Sequence, residues 1–124
     1  MPPTVLLAVG LDSSLFYNQQ SAWQAAGYCI TSAGSVREGL ARFHQGDFDM
    51  VLLGHSLPAE SRERLAYLIR AAGSRTPVVS VSDSSGVSDP FADATIRVAH
   101  DKLLQAIQDF LDKRTAAYAA PEAN

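Results

Sequence analysis

Four side chains that could take part in acid–base, nucleophilic or anion-binding chemistry lie at the end of a short apolar run or just after one. They are Asp12, His55, Ser82 and Arg97. A histidine can transfer protons or bind a metal ion near neutral pH, and serine, histidine and aspartate together can form a nucleophilic triad. If the apolar runs are parallel strands, these side chains meet at one edge of the sheet, where ligands bind in open α/β folds.

The sequence gives little support for catalysis at this edge. A triad of Ser82, His55 and Asp12 lacks the Gly-x-Ser-x-Gly turn that exposes a serine nucleophile, and no oxyanion hole is evident. The other two histidines, His44 and His100, are not spaced with His55 as metal ligands usually are. We therefore predict that the chain is not an enzyme and has neither a metal site nor a cofactor.

Composition indicates a single globular domain. The chain has 124 residues, of which 47% are hydrophobic and 19% charged, enough for one real core. Its net charge is −3 and its basic residues form no stripe, which disfavours nucleic-acid binding. The only cysteine, Cys29, excludes an intramolecular disulfide and is predicted to be a small buried side chain. The first apolar run is too short for a signal peptide or membrane helix, so we expect a cytoplasmic protein.

Apolar runs and helical spacing alternate along the chain. The stretch Met50–Leu53 is wholly apolar, which is typical of a strand covered on both faces. Strands are predicted at 4–9, 28–31, 50–53, 78–82 and 94–98, and helices at about 15–26, 36–45, 59–72 and 103–113. In the 59–72 helix, four apolar residues are predicted to face inward: Leu65, Leu68, Ile69 and Ala72. The outer face is predicted to be solvated and carries Glu60, Arg62, Glu63 and Arg64.

This alternation predicts a three-layer, doubly wound α/β fold with a parallel sheet of the flavodoxin-like order 2-1-3-4-5. Residues 83–93, DSSGVSDPFAD, contain several turn-forming residues and predict a shortened or irregular helix between the fourth and fifth strands. We expect residues 1–114 to form the domain and residues 115–124 to form a flexible tail.

Two longer stretches resemble the receiver domains of two-component response regulators. They are AAGYCITSAGSVREGLARFHQGDFDMVLLGHSLP and RTPVVSVSD. The resemblance extends from about Thr4 to Lys113 and includes the Leu57-Pro58 and Thr76-Pro77 pairs. It implies the same flavodoxin-like fold and a place in bacterial phosphorelay signalling.

The resemblance also implies which positions would carry phosphorylation. A receiver accepts phosphate on an aspartate that ends its third strand, and that position is Gly54 here. The acidic pair that holds magnesium corresponds to Gly10 and Leu11, with Asp12 one residue further on. His55, directly after Gly54, is a candidate ligand or switch residue, although a solvent-facing or loop-bonding role is the plainer interpretation.

The remaining receiver positions match only in part. Ser82 corresponds to the serine or threonine that senses the phosphoryl group. The lysine near the end of the fifth strand is replaced by Arg97 or Val98, and the aromatic position on that strand is Thr95. Magnesium requires six oxygen ligands, and glycine and leucine offer no side-chain oxygen. We therefore expect a degenerate phosphorylation pocket without metal.

These observations favour a pseudo-receiver that acts by binding another signalling protein: a kinase, a regulator or an output protein. The partner surface is expected near residues 83–93, with Val87, Phe91 and Thr95 as candidates, unless Phe91 simply packs beneath the loop. Such a protein would bind neither nucleic acid nor membrane and would be a monomer or homodimer. The alternative is that the vacated pocket binds a small molecule or anion near Ser82 and Arg97.

Overall fold

A computed structural model describes residues 3–11, 16–17, 19–82, 89–97 and 102–119 of the chain. The strands are β1 (Thr4–Val9), β2 (Tyr28–Ala33), β3 (Met50–Gly54), β4 (Val78–Ser82) and β5 (Ala94–Arg97). The helices are α1 (Gln20–Ala25), α2 (Val36–Gln45), α3 (Ala59–Ala71) and α4 (Leu103–Ala119). Of these helices, none is both long and apolar enough to cross a membrane.

The five strands form one parallel sheet of order β2-β1-β3-β4-β5, which confirms the predicted topology. Every residue of β3 and β4 is buried, as expected for central strands covered by helices on both faces. The register pairs Gly54 of β3 with Val81 of β4, and Ser82 of β4 with Arg97 of β5. The ends of β3, β4 and β5 therefore lie side by side.

Alternate residues of β1 point into two separate cores. Leu6 and Ala8 belong to a cluster that also contains residues of α1 and α4, among them Trp23 and Leu103. Leu7 and Val9 belong to a second cluster with residues of α2 and α3, including Leu40, Leu65 and Ile69. The fold thus has three layers, with the sheet between α1 and α4 on one side and α2 and α3 on the other.

Three local predictions were wrong. Ala72, which was predicted to face inward, is exposed, because α3 ends at Ala71 and Ala72 lies just beyond it. Cys29 is exposed, because β2 is an edge strand and Cys29 alternates with Tyr28, which points into a core. The last helix continues to Ala119, beyond the end predicted near Lys113.

The connection between β4 and β5 is irregular where the structure describes it. Residues 89–93 contain a turn, in which the backbone N–H of Ala92 donates to the carbonyl of Asp89 at 3.0 Å. Phe91 packs against the cluster formed by α2 and α3. The connection therefore lies on the same face of the sheet as α3, as a right-handed crossover requires. Val87 lies outside the described residues.

Candidate functional site

Gly54 lies where β3 ends, and its surroundings leave no space for a side chain. A Cβ atom built on Gly54 would lie 2.6 Å from the carbonyl carbon of Gly10, 2.9 Å from Leu11 Cδ2, and closer still to the Gly10 oxygen. Backbone atoms cannot move aside as a flexible side chain can. The position that corresponds to the receiver's phosphorylated aspartate is therefore packed against the end of β1.

Gly10 adopts a backbone conformation that brings this packing about. Its φ of +75° lies in the left-handed region, where glycine carries little steric penalty. A Cβ atom on Gly10 would lie 2.5 Å from Leu57 Cγ. The Gly10 N–H donates to the Ala33 carbonyl at 3.0 Å, and the hydroxyl of Ser56 donates to the Gly10 carbonyl oxygen. These hydrogen bonds hold Gly10 against the end of β3.

The residues at this edge do not fit the magnesium ion that the receiver resemblance implies. Gly10 and Gly54 have no side-chain oxygen, and Leu11 is half-buried and packs against the core. Across the described ranges, no group of three or more His, Cys, Asp and Glu residues could hold a metal ion. Asp12, the remaining acidic candidate, lies outside these ranges.

A buried ion pair lies beside this edge. The guanidinium of Arg62, on α3, donates to the carboxylate of Asp89 through both Nε (2.9 Å to Oδ2) and Nη2 (3.1 Å to Oδ1). Arg62 is 5% exposed and Asp89 is 6% exposed. This bidentate geometry is the stronger form of an arginine–carboxylate interaction.

Further hydrogen bonds connect the ion pair to three other segments. The hydroxyl of Ser80 on β4 donates to Asp89 Oδ2 at 2.6 Å, and Arg62 Nη1 donates to the Leu57 carbonyl at 2.5 Å. The backbone N–H of Asp89 donates to Thr95 Oγ1 on β5 at 3.3 Å. Arg62 and Asp89 together therefore connect α3 with β4, β5 and the turn after β3.

His55 is a second cationic neighbour of Asp89, further away than Arg62. Its Nε2 lies 3.7 Å from Asp89 Oδ2, and its side chain is 22% exposed. Burial raises the pKa of the Asp89 carboxyl, but hydrogen bonds from Arg62 and Ser80 and the charges of Arg62 and His55 outweigh burial. The pKa of Asp89 is consequently lower than its ordinary value.

The predicted site residues divide into two groups. Gly10, Leu11 and Gly54 are in contact, but they form a closed packing arrangement rather than an open pocket. Ser82 is buried at the end of β4, and its register partner Arg97 is exposed.

Two candidates for the partner surface are also described. Thr95 is half-buried and accepts the hydrogen bond from Asp89. Phe91 packs under the connection, as the alternative interpretation of that residue anticipated.

The sequence interpretation missed the Arg62–Asp89 pair. The prediction that Arg62 lies on a solvated face was wrong, since Arg62 is almost fully buried. The helical spacing contained a signal, because Arg62 precedes the buried residues Leu65, Ala66 and Ile69 by three, four and seven positions. A buried arginine needs a carboxylate partner, but nothing in the sequence identified Asp89 as that partner.

Comparison with solved structures places the chain among proteins of the receiver fold. The chemotaxis response regulator CheY4 of Vibrio cholerae matches with a TM-score of 0.69 and 20% identity, over 86% of this chain and 98% of that one. A CheY-like receiver domain protein from Methanospirillum hungatei matches with a TM-score of 0.66 and 23% identity, over 93% and 98% of the two chains.

A third match comes from the crystal structure of the histidine kinase ThkA in complex with the response regulator TrrA. Its TM-score is 0.68 at 24% identity, over 87% of this chain and 98% of that one. No protein-family model and no curated protein matches the chain. At these identities the structural matches establish the fold: five parallel strands in the flavodoxin-like order, as in CheY-like receiver domains.

Proposed function

We propose that this chain is an atypical receiver-like signalling domain that acts without aspartyl phosphorylation, by binding another protein of a two-component or phosphorelay system. The observation that carries the proposal is the packing at Gly54. Phosphoryl transfer in a receiver requires a carboxylate at this position, and phosphoryl transfer in general depends on positioning and charge neutralisation. Glycine offers no acceptor, and the Gly10 carbonyl and Leu11 occupy the space a side chain would need.

The hydrogen bonds of Asp89 support the same proposal. In receivers, the positions that correspond to Ser82 and Thr95 respond to the phosphoryl group. Here Thr95 is hydrogen-bonded to the backbone of Asp89, whose carboxylate is already neutralised by Arg62. Contacts within the chain therefore hold Thr95 and the connection between β4 and β5 together without a phosphoryl group.

The proposed partner is a signalling protein. TrrA, a response regulator whose complex with the histidine kinase ThkA has been crystallised, shares the fold of this chain. A kinase, a regulator or an output protein is therefore the class of partner we propose, in the cytoplasm of a bacterium and without a resident cofactor or an enzymatic reaction. The alternative, a small molecule in the vacated pocket, gains no support, because Gly10 and Leu11 fill the space next to Gly54.

A nuclear magnetic resonance titration tests whether the chain responds to a phosphate mimic. The backbone amide resonances of Gly10, Gly54 and Ser82 would be followed while magnesium and beryllofluoride are added to low millimolar concentration. We expect no saturable shift. TrrA, which has been crystallised with Mg²⁺ and BeF, is the positive control. A saturable shift of the amide resonances of Gly10, Gly54 and Ser82 would disprove phosphorylation independence.

Partner binding needs a separate measurement. Calorimetric titration of the purified chain against the cytoplasmic portions of histidine kinases from the same organism should reveal at least one complex, formed equally well with and without magnesium. Complex formation that requires magnesium and a phosphoryl donor would contradict the proposal.

A further inference from the structure

The outward face of α3 carries an exposed aromatic residue. Tyr67 is 71% exposed, although it lies in the middle of a helix whose other face is packed into the core. Four charged residues share this face with Tyr67 at helical spacing: Glu60, Glu63, Arg64 and Arg70. Tyrosine and arginine are enriched among the residues that contribute most to binding in protein interfaces.

A groove runs beside Tyr67. Its volume is about 480 Å³, and it is lined by Glu60, Glu63, Arg64, Ala66, Tyr67, Arg70 and Phe91. Ala66 is buried on α3, and Phe91 belongs to the connection between β4 and β5. The groove lies between these two segments because residues 89–93 run alongside α3 as turns and bends rather than as a helix.

Two copies of this face would place opposite charges next to each other if their helices ran antiparallel. The acidic residues Glu60 and Glu63 lie in the N-terminal half of α3, and Arg70 lies in its last turn. If two copies of α3 pack antiparallel, the acidic end of each helix faces the basic end of the other. Arg64 then lies close to Tyr67 of the second copy, where a cation–π contact can form.

Arg70 is already ordered by contacts within the chain, including a hydrogen bond to the Ser74 carbonyl at 3.3 Å, so a contact with Glu60 of a second copy would extend its existing ion pair with Asp93. It bonds to the carboxylate of Asp93 and donates to the Thr76 carbonyl at 2.8 Å, yet its side chain is still 38% exposed. A side chain that is already ordered loses less conformational entropy on binding. In a two-fold symmetric interface the same surface patch on both copies must be self-complementary, and a helix with one acidic end and one basic end meets this requirement.

We propose that α3 pairs antiparallel with the α3 of a second copy of this chain in a two-fold homodimer, with each Tyr67 seated in the groove of its partner beside Phe91. The occupant is a second copy because the charge pattern is complementary to its own reverse. The proposal does not depend on phosphorylation or on the identity of the signalling partner.

Sedimentation velocity of the full chain, from micromolar to submillimolar concentration, tests the dimer. We expect a reversible monomer–dimer equilibrium that Tyr67→Glu shifts to monomer across the whole range. The matched control is Tyr17→Glu, because Tyr17 is 76% exposed and follows Phe16, which packs into the core on the opposite face of the sheet. A wild-type chain that stays monomeric, or a dimer that Tyr67→Glu leaves intact, overturns the proposal.

Charge reversal provides an independent test of the antiparallel arrangement. Glu60→Arg with Glu63→Arg makes the face wholly basic, and Arg70→Glu in a second chain makes the face mostly acidic. All three residues are exposed, so circular dichroism should show that both variants fold. Each variant should lose self-association, and an equimolar mixture should form a heterodimer. A mixture that remains monomeric refutes the arrangement. No magnesium or phosphoryl donor is present, so this outcome is independent of the tests of the proposed function.

Discussion

Replacing Arg62 by methionine should destabilise the protein far more than replacing an arginine on the surface. Arg62 and Asp89 are 5% and 6% exposed and share two hydrogen bonds. Removing one member of a buried ion pair leaves the other charge uncompensated, which costs about 3–5 kcal/mol. Arg62→Met should lower the free energy of unfolding by that amount, out of a total of about 5–15 kcal/mol for a typical domain.

Equilibrium unfolding in urea, followed by the fluorescence of Trp23, provides the assay. Trp23 is 2% exposed and packs against Phe16 and Tyr28, so its emission should change when the core opens. The matched control is Arg37→Met on the exposed face of α2, which should change stability by no more than about 0.5 kcal/mol.

A double variant separates the loss of the pair from the loss of packing. Arg62→Met combined with Asp89→Leu removes both charges, and replacing a whole buried pair by apolar residues is often close to neutral. The double variant should therefore be more stable than Arg62→Met alone. The reasoning fails if Arg62→Met costs less than about 1 kcal/mol, the range of an exposed pair, or if the two substitutions are simply additive.

Three further predictions follow from individual residues. Because the pKa of Asp89 is lower in the folded protein than its ordinary value of 3.8, its charged form stabilises the fold above that pH. This stability is lost as the pH falls through the folded pKa, so urea midpoints measured against pH should fall less steeply in acid for Asp89→Asn than for the wild type. Gly54→Ala should destabilise the protein by about 1–3 kcal/mol through overpacking. Gly46→Ala, whose Cβ would lie 3.7 Å from the Phe48 ring, should be nearly neutral in the same urea assay. Finally, Cys29 is exposed and should react with a maleimide in the native state at close to the rate in denaturant, as measured by intact mass; strong protection would contradict the exposed edge of β2.

The sequence predicted the fold well because the sheet is built from local patterns. The run Met50–Leu53 is wholly apolar, and the strand it forms is buried on both faces. Gly27 and Gly73 follow helices and adopt φ values of +88° and +82°, as a glycine at a helix end often does. Each of these signals lies within a few residues of the structure that it specifies.

The site was less predictable because it depends on contacts between distant segments. The sequence indicated that Gly54 lacks a carboxylate, but the filling of that position depends on the left-handed turn at Gly10, 44 residues earlier in the chain. Arg62 and Asp89 are 27 residues apart. A helical pattern can show that Arg62 faces inward, but it cannot identify the carboxylate that pairs with it.

For the signalling domain proposed above, the closed site and the buried pair have a common consequence. A receiver that switches needs two arrangements whose free energies are close enough for a ligand to exchange their populations. If an arrangement of the connection between β4 and β5 left Arg62 and Asp89 buried but unpaired, at a cost of about 4 kcal/mol, it would be populated at about one part in a thousand. A partner that binds near Phe91 would then meet a surface that is already formed. Little free energy would be lost in ordering the connection between β4 and β5 on binding. If the proposed function holds, binding would then be governed by the concentrations of the chain and its partner rather than by a change in the conformation of the chain.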